Sequence, residues 1–171
     1  GSETDLFRWF IGGQQHYAPG AMVFYAPYVN SYRRVAGGWS APANVEWSHD
    51  NRTVGLRIPN SGPAARRVEN RVVGADANGY LALAASLACG YLGMMGKIEP
   101  REECTEDASE RPTTLPSSLQ RAIDEFGDVP ELQEILSQEF SDLYKAIKLH
   151  ELEEFLRVIS PWEREHLLLT V

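Results

Sequence analysis

Apolar residues recur at helical spacing from the start of the chain. Leu6, Phe7, Phe10 and Ile11 form one stripe, which predicts a helix over residues 3–17 packed on one side. Ser2 or Thr4 is placed to cap it. Gly12 and Gly13 would each weaken such a helix by about 1 kcal/mol in isolation, so a closely packed neighbour is expected against them. Pro19-Gly20 predicts a break, and residues 21–27 a separate short apolar piece. Asn30-Ser31-Tyr32-Arg33-Arg34 follows, then a loop by composition over residues 37–42. Residues 43–47 and 53–58 read as strands joined by the polar turn Ser48-His49-Asp50-Asn51. Residues 59–63 are a loop leading into a third strand at 66–71. Strand, turn, strand, loop, strand predicts one antiparallel sheet.

The pattern changes at residue 78. Leu81, Leu83, Leu87, Cys89, Tyr91, Leu92 and Met94 leave almost no polar face over residues 78–95, the mark of a buried helix. Asp76 or Asn78 would cap it, and its alanines and Gly90 allow close approach of other elements. Residues 97–116 are acidic and contain proline without apolar periodicity, as in a linker. Ser117 with Gln120 fits a capping box opening a helix to about Phe126. Residues 131–137 are short and amphipathic. Phe140, Leu143, Tyr144, Ile147, Leu152, Phe155, Leu156 and Ile159 mark a long helix with Glu151 at the edge of its stripe. Pro161 can begin a last helix carrying Trp162 and Leu167 to Leu169. The fold class is α+β: antiparallel strands with packed helices, then a helical C-terminal region.

Charge changes this picture by its distribution. The net charge of -8 combines a balance of +2 over residues 1–100 with -10 over residues 101–171. Residues 33–71 hold seven arginines against Glu46, Asp50 and Glu69. An acidic protein repels nucleic acid and anionic membrane, whereas a local arginine cluster within it suits a small anionic ligand. No apolar run looks long enough to cross a bilayer, and no signal peptide opens the chain; Gly1-Ser2 resembles a tag remnant. Cys89 and Cys104 are unclustered, which points to neither a zinc site nor a disulfide framework and makes a reducing cytoplasm the default.

No GxSxG, Walker, Rossmann or HExxH motif is present. His16, His150 and His166 fall in predicted helices with surface or packing roles; only His49, in the turn beside the arginine strands, is a candidate for a site role. What stands out is Arg66-Arg67-Val68-Glu69-Asn70-Arg71. As a strand it projects Arg67, Glu69 and Arg71 from one face, with same-face neighbours roughly 7 Å apart. A face reading plus, minus, plus is either covered by water or by an anion and a metal ion, since an unpaired buried charge is costly. Arg34, Arg52 and Arg57 add to it. Guanidinium groups grip carboxylates and phosphates in a fork, and Mg²⁺ favours one or two carboxylates plus phosphate oxygens. Composition and spacing alone reach an anion or nucleotide site, against a solvated surface strand.

The same residues carry a resemblance. Asn30-Ser31-Tyr32-Arg33-Arg34, Ala41-Pro42, Asn51-Arg52, Leu56-Arg57-Ile58-Pro59, Ala65 to Arg71 and Ala75 to Ala85 resemble the glutamine synthetase family in order and spacing. Gly74-Ala75-Asp76-Ala77-Asn78 and the tail Ser160-Pro161-Trp162-Glu163-Arg164 look most like its γ-glutamylpolyamine synthetase branch. The resemblance covers only the C-terminal part of the catalytic fold, without the N-terminal domain or the first half of the barrel. It implies that residues 3–100 are the second half of that barrel and residues 101–171 an acidic linker with C-terminal helices. It implies ATP and Mg²⁺ or Mn²⁺ as cofactors, glutamate and an amine as substrates, and a ring-shaped homo-oligomer when intact. By match, Glu69 is a metal ligand. Arg34 would hold the glutamate carboxylate, Arg52 both glutamate and ATP phosphates, Arg57 the nucleotide phosphates, and Arg71 the reacting γ-carboxyl group; Arg67 would add to the phosphate site. Arg52 and Arg71 are thus the catalytic candidates. Ser40 stands where ammonia-using members have a Glu that closes the site, which argues for a larger amine. A basic residue of the ATP site is replaced near Ala64, and Gly79 stands where many relatives have Pro. The alternatives are an ordinary ammonia-using glutamine synthetase and a non-catalytic structural or regulatory relative.

Overall fold

The computed structural model describes residues 3–35 and 41–170. Its first element, α1 (Asp5–Tyr25), is capped by Thr4, whose side chain accepts from the Phe7 N–H at 3.3 Å. The predicted break at Pro19-Gly20 does not occur: Pro19 lies inside α1, and the apolar piece after it is the helix's last turns. Interior proline costs about 3 kcal/mol. The turns beyond it bury Met22, Val23 and Phe24 to 2% exposure or less, each worth roughly 1.5–3 kcal/mol, so burial wins.

Against α1 lies α3 (Gly79–Gly96), whose N-cap Asn78 accepts from the Tyr80 and Leu81 N–H groups. The glycines explain how closely they approach. A Cβ on Gly12 would strike the Ile98 carbonyl, and one on Gly13 would strike Cys89 and Gly93 of α3. Only a third of α3 is buried, contrary to the sequence pattern. Ala82, Ala85, Ala88 and Cys89 face the core, while Leu83, Leu87 and Met95 are 60%, 55% and 66% exposed. Its mean hydropathy of 1.3 over 18 residues also makes it long and apolar enough to cross a membrane by composition, which corrects the expectation that no apolar run reaches that length.

The sheet is small and mixed. β1 (Trp47–His49) pairs parallel with β2 (Leu56–Ile58), and β2 pairs antiparallel with β3 (Glu69–Asn70). The predicted antiparallel pairing of the first two strands is therefore wrong. Asp50 adopts a left-handed backbone, φ 47°, and the Asn51 side chain accepts from the Thr53 N–H at 2.9 Å while donating to the Glu106 carbonyl at 2.8 Å. The chain is thus carried sideways, burying Val54 against Cys104 and Ala108, and re-enters beside β1 in the same direction instead of folding back. Beneath the sheet, Trp47, Leu56 and Ile58 pack on Ile11, with Phe7 and Val68 at the margin.

Residues 97–116 are a fitted strap. The Cys104 N–H donates to the Trp47 carbonyl at 2.9 Å, Asn44 Nδ2 to the Ala108 carbonyl at 2.8 Å, and the Thr114 N–H to the Ala43 carbonyl at 3.1 Å. Cys104, Ala108 and Leu115 are buried; anchors this widely and irregularly spaced leave no periodic signal. Then come α4 (Leu119–Gly127), capped by Ser118 one residue later than predicted, α5 (Pro130–Ile135), α6 (Gln138–Arg157) and α7 (Pro161–His166). Phe24 of α1 packs edge-on to Phe126 and stacks on Tyr144. Lys148 is buried, with Nζ 2.8 Å from Glu151 and 4.8 Å from the Tyr28 ring centre.

Where β1 ends, His49 is clasped from two sides. Its Nδ1 lies 2.9 Å from Glu103 on the strap and its Nε2 2.8 Å from Glu3 before α1. Burial alone would lower the His49 pKa, but the bonds and charges of Glu103 and Glu3 outweigh it and raise it. Burial would likewise raise Glu103, and the bonds from His49 hold it below its ordinary value. The sign follows: the raised histidine stabilises fully below its unfolded value of about 6.5 and loses this as pH rises through its folded value, and the depressed glutamate stabilises above about 4.3 and loses this on acidification. Urea midpoints of the chain should therefore fall from pH 6 to pH 8.5, and His49→Ala should remove most of that slope; an unchanged slope would dismiss the clasp.

Candidate functional site

Residues 50–76 place the charged side chains. Arg57 on β2 and Glu69 on β3 are Cα partners across the antiparallel pair, so both project from one face. Arg57 Nη1 donates to Glu69 Oε2 at 2.9 Å, and its Nη2 donates to Asp50 Oδ1 in a short bond. Arg71 Nε approaches Glu69 Oε1 at 3.4 Å. Both oxygens of Glu69 thus face guanidinium groups. Arg71 is held in turn by the Arg52 and Val54 carbonyls, and its N–H bonds the Gly55 carbonyl at 2.8 Å. Arg34, on the short helix α2 (Tyr32–Val35), is tied to the chain just after Arg71: its Nη2 donates to the Val72 carbonyl at 2.5 Å.

Only residues 69 and 70 of the predicted strand 66–71 are paired. A short turn at Pro63–Ala65 precedes them, and Arg66 sits over the Phe7 ring, 5.9 Å from its centre. Arg67 is exposed, bonded to the Ala65 carbonyl at 3.1 Å. Arg52 is also exposed, but its charge reaches Asp50. Arg57, Glu69 and Arg71 are therefore brought to one seam, Arg52 to its edge and Arg67 to the loop before it, while Arg34 is held apart from them at the Val72 carbonyl. Ala64 is exposed in that loop, and Ser40 lies outside the described residues.

Asp50 is the residue that sequence reasoning missed. It appeared as a turn residue, yet it is the second carboxylate on Arg57. The Arg57 hydrogen bond, then the charges of Arg57 and Arg52, hold its carboxyl below the usual range. No local signal gave it, because its pairing with Arg57 depends on the direction of the chain between them. The four groups Asp50, Glu69, Arg57 and Arg71 sum to zero, so an incoming anion meets guanidinium groups already engaged and must displace carboxylates to use them fully.

This seam does not make a metal site unaided. Among the described residues no group of three His, Cys, Asp or Glu could hold a metal ion, and Glu69 is turned to two arginines. Mg²⁺ demands near-octahedral oxygen ligation, so further ligands would have to come from elsewhere.

The chain matches the model of the glutamine synthetase catalytic domain over residues 1–167. It belongs to the glutamine synthetase family. The gamma-glutamylputrescine synthetase PuuA of Escherichia coli K12 is 37% identical over 170 residues, covering 98% of this chain and 36% of that protein. The glutamine synthetase of Archaeoglobus fulgidus is 35% identical, covering 91% and 34%. A glutamate–isopropylamine ligase of a Pseudomonas species is also 35% identical, covering 95% and 36%. A solved structure described as apo GmaS without ligand superposes with a TM-score of 0.86 at 26% identity, over 98% of this chain and 40% of that one. This member of the glutamine synthetase family thus spans about a third of the length of those curated relatives, and corresponds to the C-terminal part of the family's fold. These three curated relatives lie within two points of identity, which does not separate the branches.

Asp50 gives a direct check of the seam. Its carboxyl carbon, followed by NMR, should titrate below the ordinary value of about 3.9 and move upward in Arg57→Ala. No movement would show that Arg57 does not hold it.

Proposed function

We propose that this chain is the C-terminal catalytic part of an ATP-dependent glutamate–amine ligase. ATP phosphorylates the γ-carboxylate of glutamate, and the amine nitrogen then displaces phosphate from the acyl phosphate, forming the amide. The observation that carries this reading is the convergence of Arg57 and Arg71 on Glu69, in a chain of this family. Fixed guanidinium groups aimed where negative charge accumulates are the main electrostatic means of lowering such a barrier.

Roles follow from placement and family. Arg34 holds the substrate's carboxylate. Arg71, gripped by two carbonyls, presents its guanidinium to the reacting γ-carboxyl group. Arg57 and Arg52 take nucleotide phosphates, with Arg67 at the periphery. ATP and a divalent cation are the cofactors, the cation bound by Glu69 together with carboxylates outside this chain; it supplies charge neutralisation of the phosphates. The intact protein forms a homo-oligomeric ring, and the 171 residues alone do not turn over. Two buried free cysteines, Cys89 and Cys104, suit a reducing compartment such as the cytoplasm.

The acceptor is an amine larger than ammonia. By match of sequence, Ser40 stands where ammonia-using members have a Glu that takes a proton from ammonium, and relatives named for putrescine and isopropylamine support a larger amine. An ammonia-using synthetase is the second reading, since relatives with that name are as similar. A non-catalytic relative would have no need of this arginine set.

In the intact enzyme, Arg71→Ala should lower kcat/KM by at least tenfold, as loss of charge-assisted bonds worth about 1.5–3 kcal/mol each implies; near-normal turnover would refute its role. Coupled ADP release with ammonia, putrescine and isopropylamine should favour an amine over ammonia. A clear ammonia preference would overturn the reading of Ser40, and no turnover with any of them would favour the non-catalytic relative.

A further inference from the structure

Between Tyr25 and Asn78 a second network surrounds Arg34 and involves residues with no role in the reading above. The Ser31 hydroxyl donates to Asp76 Oδ2 at 2.5 Å and accepts from the Tyr28 N–H at 3.1 Å. That pair of bonds fixes the turn Val29–Ser31, which runs directly into α2, the four-residue helix bearing Arg34. A helix of one turn has no stability of its own, so the direction of Arg34 depends on what pins the turn before it. From the other side the Val72 carbonyl takes the guanidinium. The segment between Val72 and Asp76 is itself anchored: the Gly74 N–H donates to the Tyr25 carbonyl at 2.8 Å and the Ala77 N–H to the Gly74 carbonyl at 3.2 Å. A Cβ on Gly74 would strike Asp76 Oδ1 and lie 3.2 Å from Arg34 Nη2, which puts carboxylate and guanidinium on either side of a residue with no side chain. Burial lowers the Arg34 pKa, and the charge of Asp76 opposes that effect. One short stretch, residues 72–76, therefore holds Arg34 twice: by a carbonyl at its tip and by a carboxylate through the turn at its base.

We propose that Asp76 is a positioning residue for Arg34, acting through Ser31 to orient the guanidinium that binds the substrate carboxylate. The proposal rests on the assignment of Arg34 to glutamate binding. It predicts a selective effect: Asp76 governs glutamate and leaves the nucleotide alone, because the arginines given to phosphate, Arg52 and Arg57, are held by other partners.

The test is steady-state kinetics of the intact enzyme with glutamate and ATP varied separately. Asp76→Ala should raise KM for glutamate about threefold to tenfold, the loss of a hydrogen bond's worth of alignment, with KM for ATP within about twofold. Ser31→Ala, which leaves the Asp76 charge in place, should give the same rise and decides the matter if Asp76→Ala does not fold. Asp76→Asn keeps an oxygen to accept from Ser31 and should restore most of the affinity. In an Arg34→Ala background, Asp76→Ala should add nothing. The proposal is overturned if glutamate and ATP suffer alike, if the effect persists without Arg34, or if Arg34→Ala raises the glutamate KM while Asp76→Ala and Ser31→Ala do not. Should Arg34→Ala itself leave glutamate unaffected, the premise has failed, and this proposal with it, whatever Asp76 does.

Discussion

A guanidinium facing a carboxylate across β2 and β3 organises the chemistry of this chain. Arg57 is clamped between Glu69 and Asp50, and Glu69 also faces Arg71. The Arg57 side chain is only 14% exposed while Glu69 is 38% and Asp50 56% exposed. The cation is thus fixed and its anions border on solvent. Ion pairs at such a border are weak and exchangeable. The seam is neutral in sum, and its carboxylates are its more exposed partners. An anion that brings its own cation could replace them without leaving any guanidinium unpaired.

The geometry of that pair depends on packing some distance away. Phe7 and Ile11 of α1 support Trp47, Leu56 and Ile58 under the sheet, and α1 reaches that depth because Gly12 and Gly13 let it lie against α3 and Ile98. The strap at residues 101–108 then covers the outer edge of β1 with the Cys104 N–H. A three-stranded sheet with strands of two or three residues would be marginal alone; here it is set between a helix and a strap, which is what allows Arg57 and Glu69 to be placed to within hydrogen-bonding distance.

Much of this was legible in the residues. The packing of Phe7 and Ile11, the cap at Thr4, the capping of α3 by Asn78 and the start of α7 at Pro161 all follow local rules, although Leu6 of the same predicted stripe is exposed. The charged face was legible too, because alternation places Glu69 and Arg71 on one side. What was hidden depended on long-range contacts. Pro19 signals a break locally, and only the burial of Met22, Val23 and Phe24 overrides it. The parallel pairing of β1 with β2 is set by Asn51 reaching to Glu106, more than fifty residues away. Asp50 could not be matched with Arg57 until the direction of that loop was known. The outer face of α3 is apolar in composition but exposed, since hydrophobicity alone does not say what packs against it.

The central claim is that the proposed function holds and the Arg57–Glu69–Arg71 seam serves phosphoryl transfer to a carboxylate. The most direct test labels the γ-carboxylate of glutamate with ¹⁸O and follows the label during turnover of the intact enzyme with ATP and an amine. One labelled oxygen should appear in the released inorganic phosphate, because amine attack on an acyl phosphate expels that oxygen with the phosphoryl group. Amide formation with all released phosphate unlabelled would contradict the account.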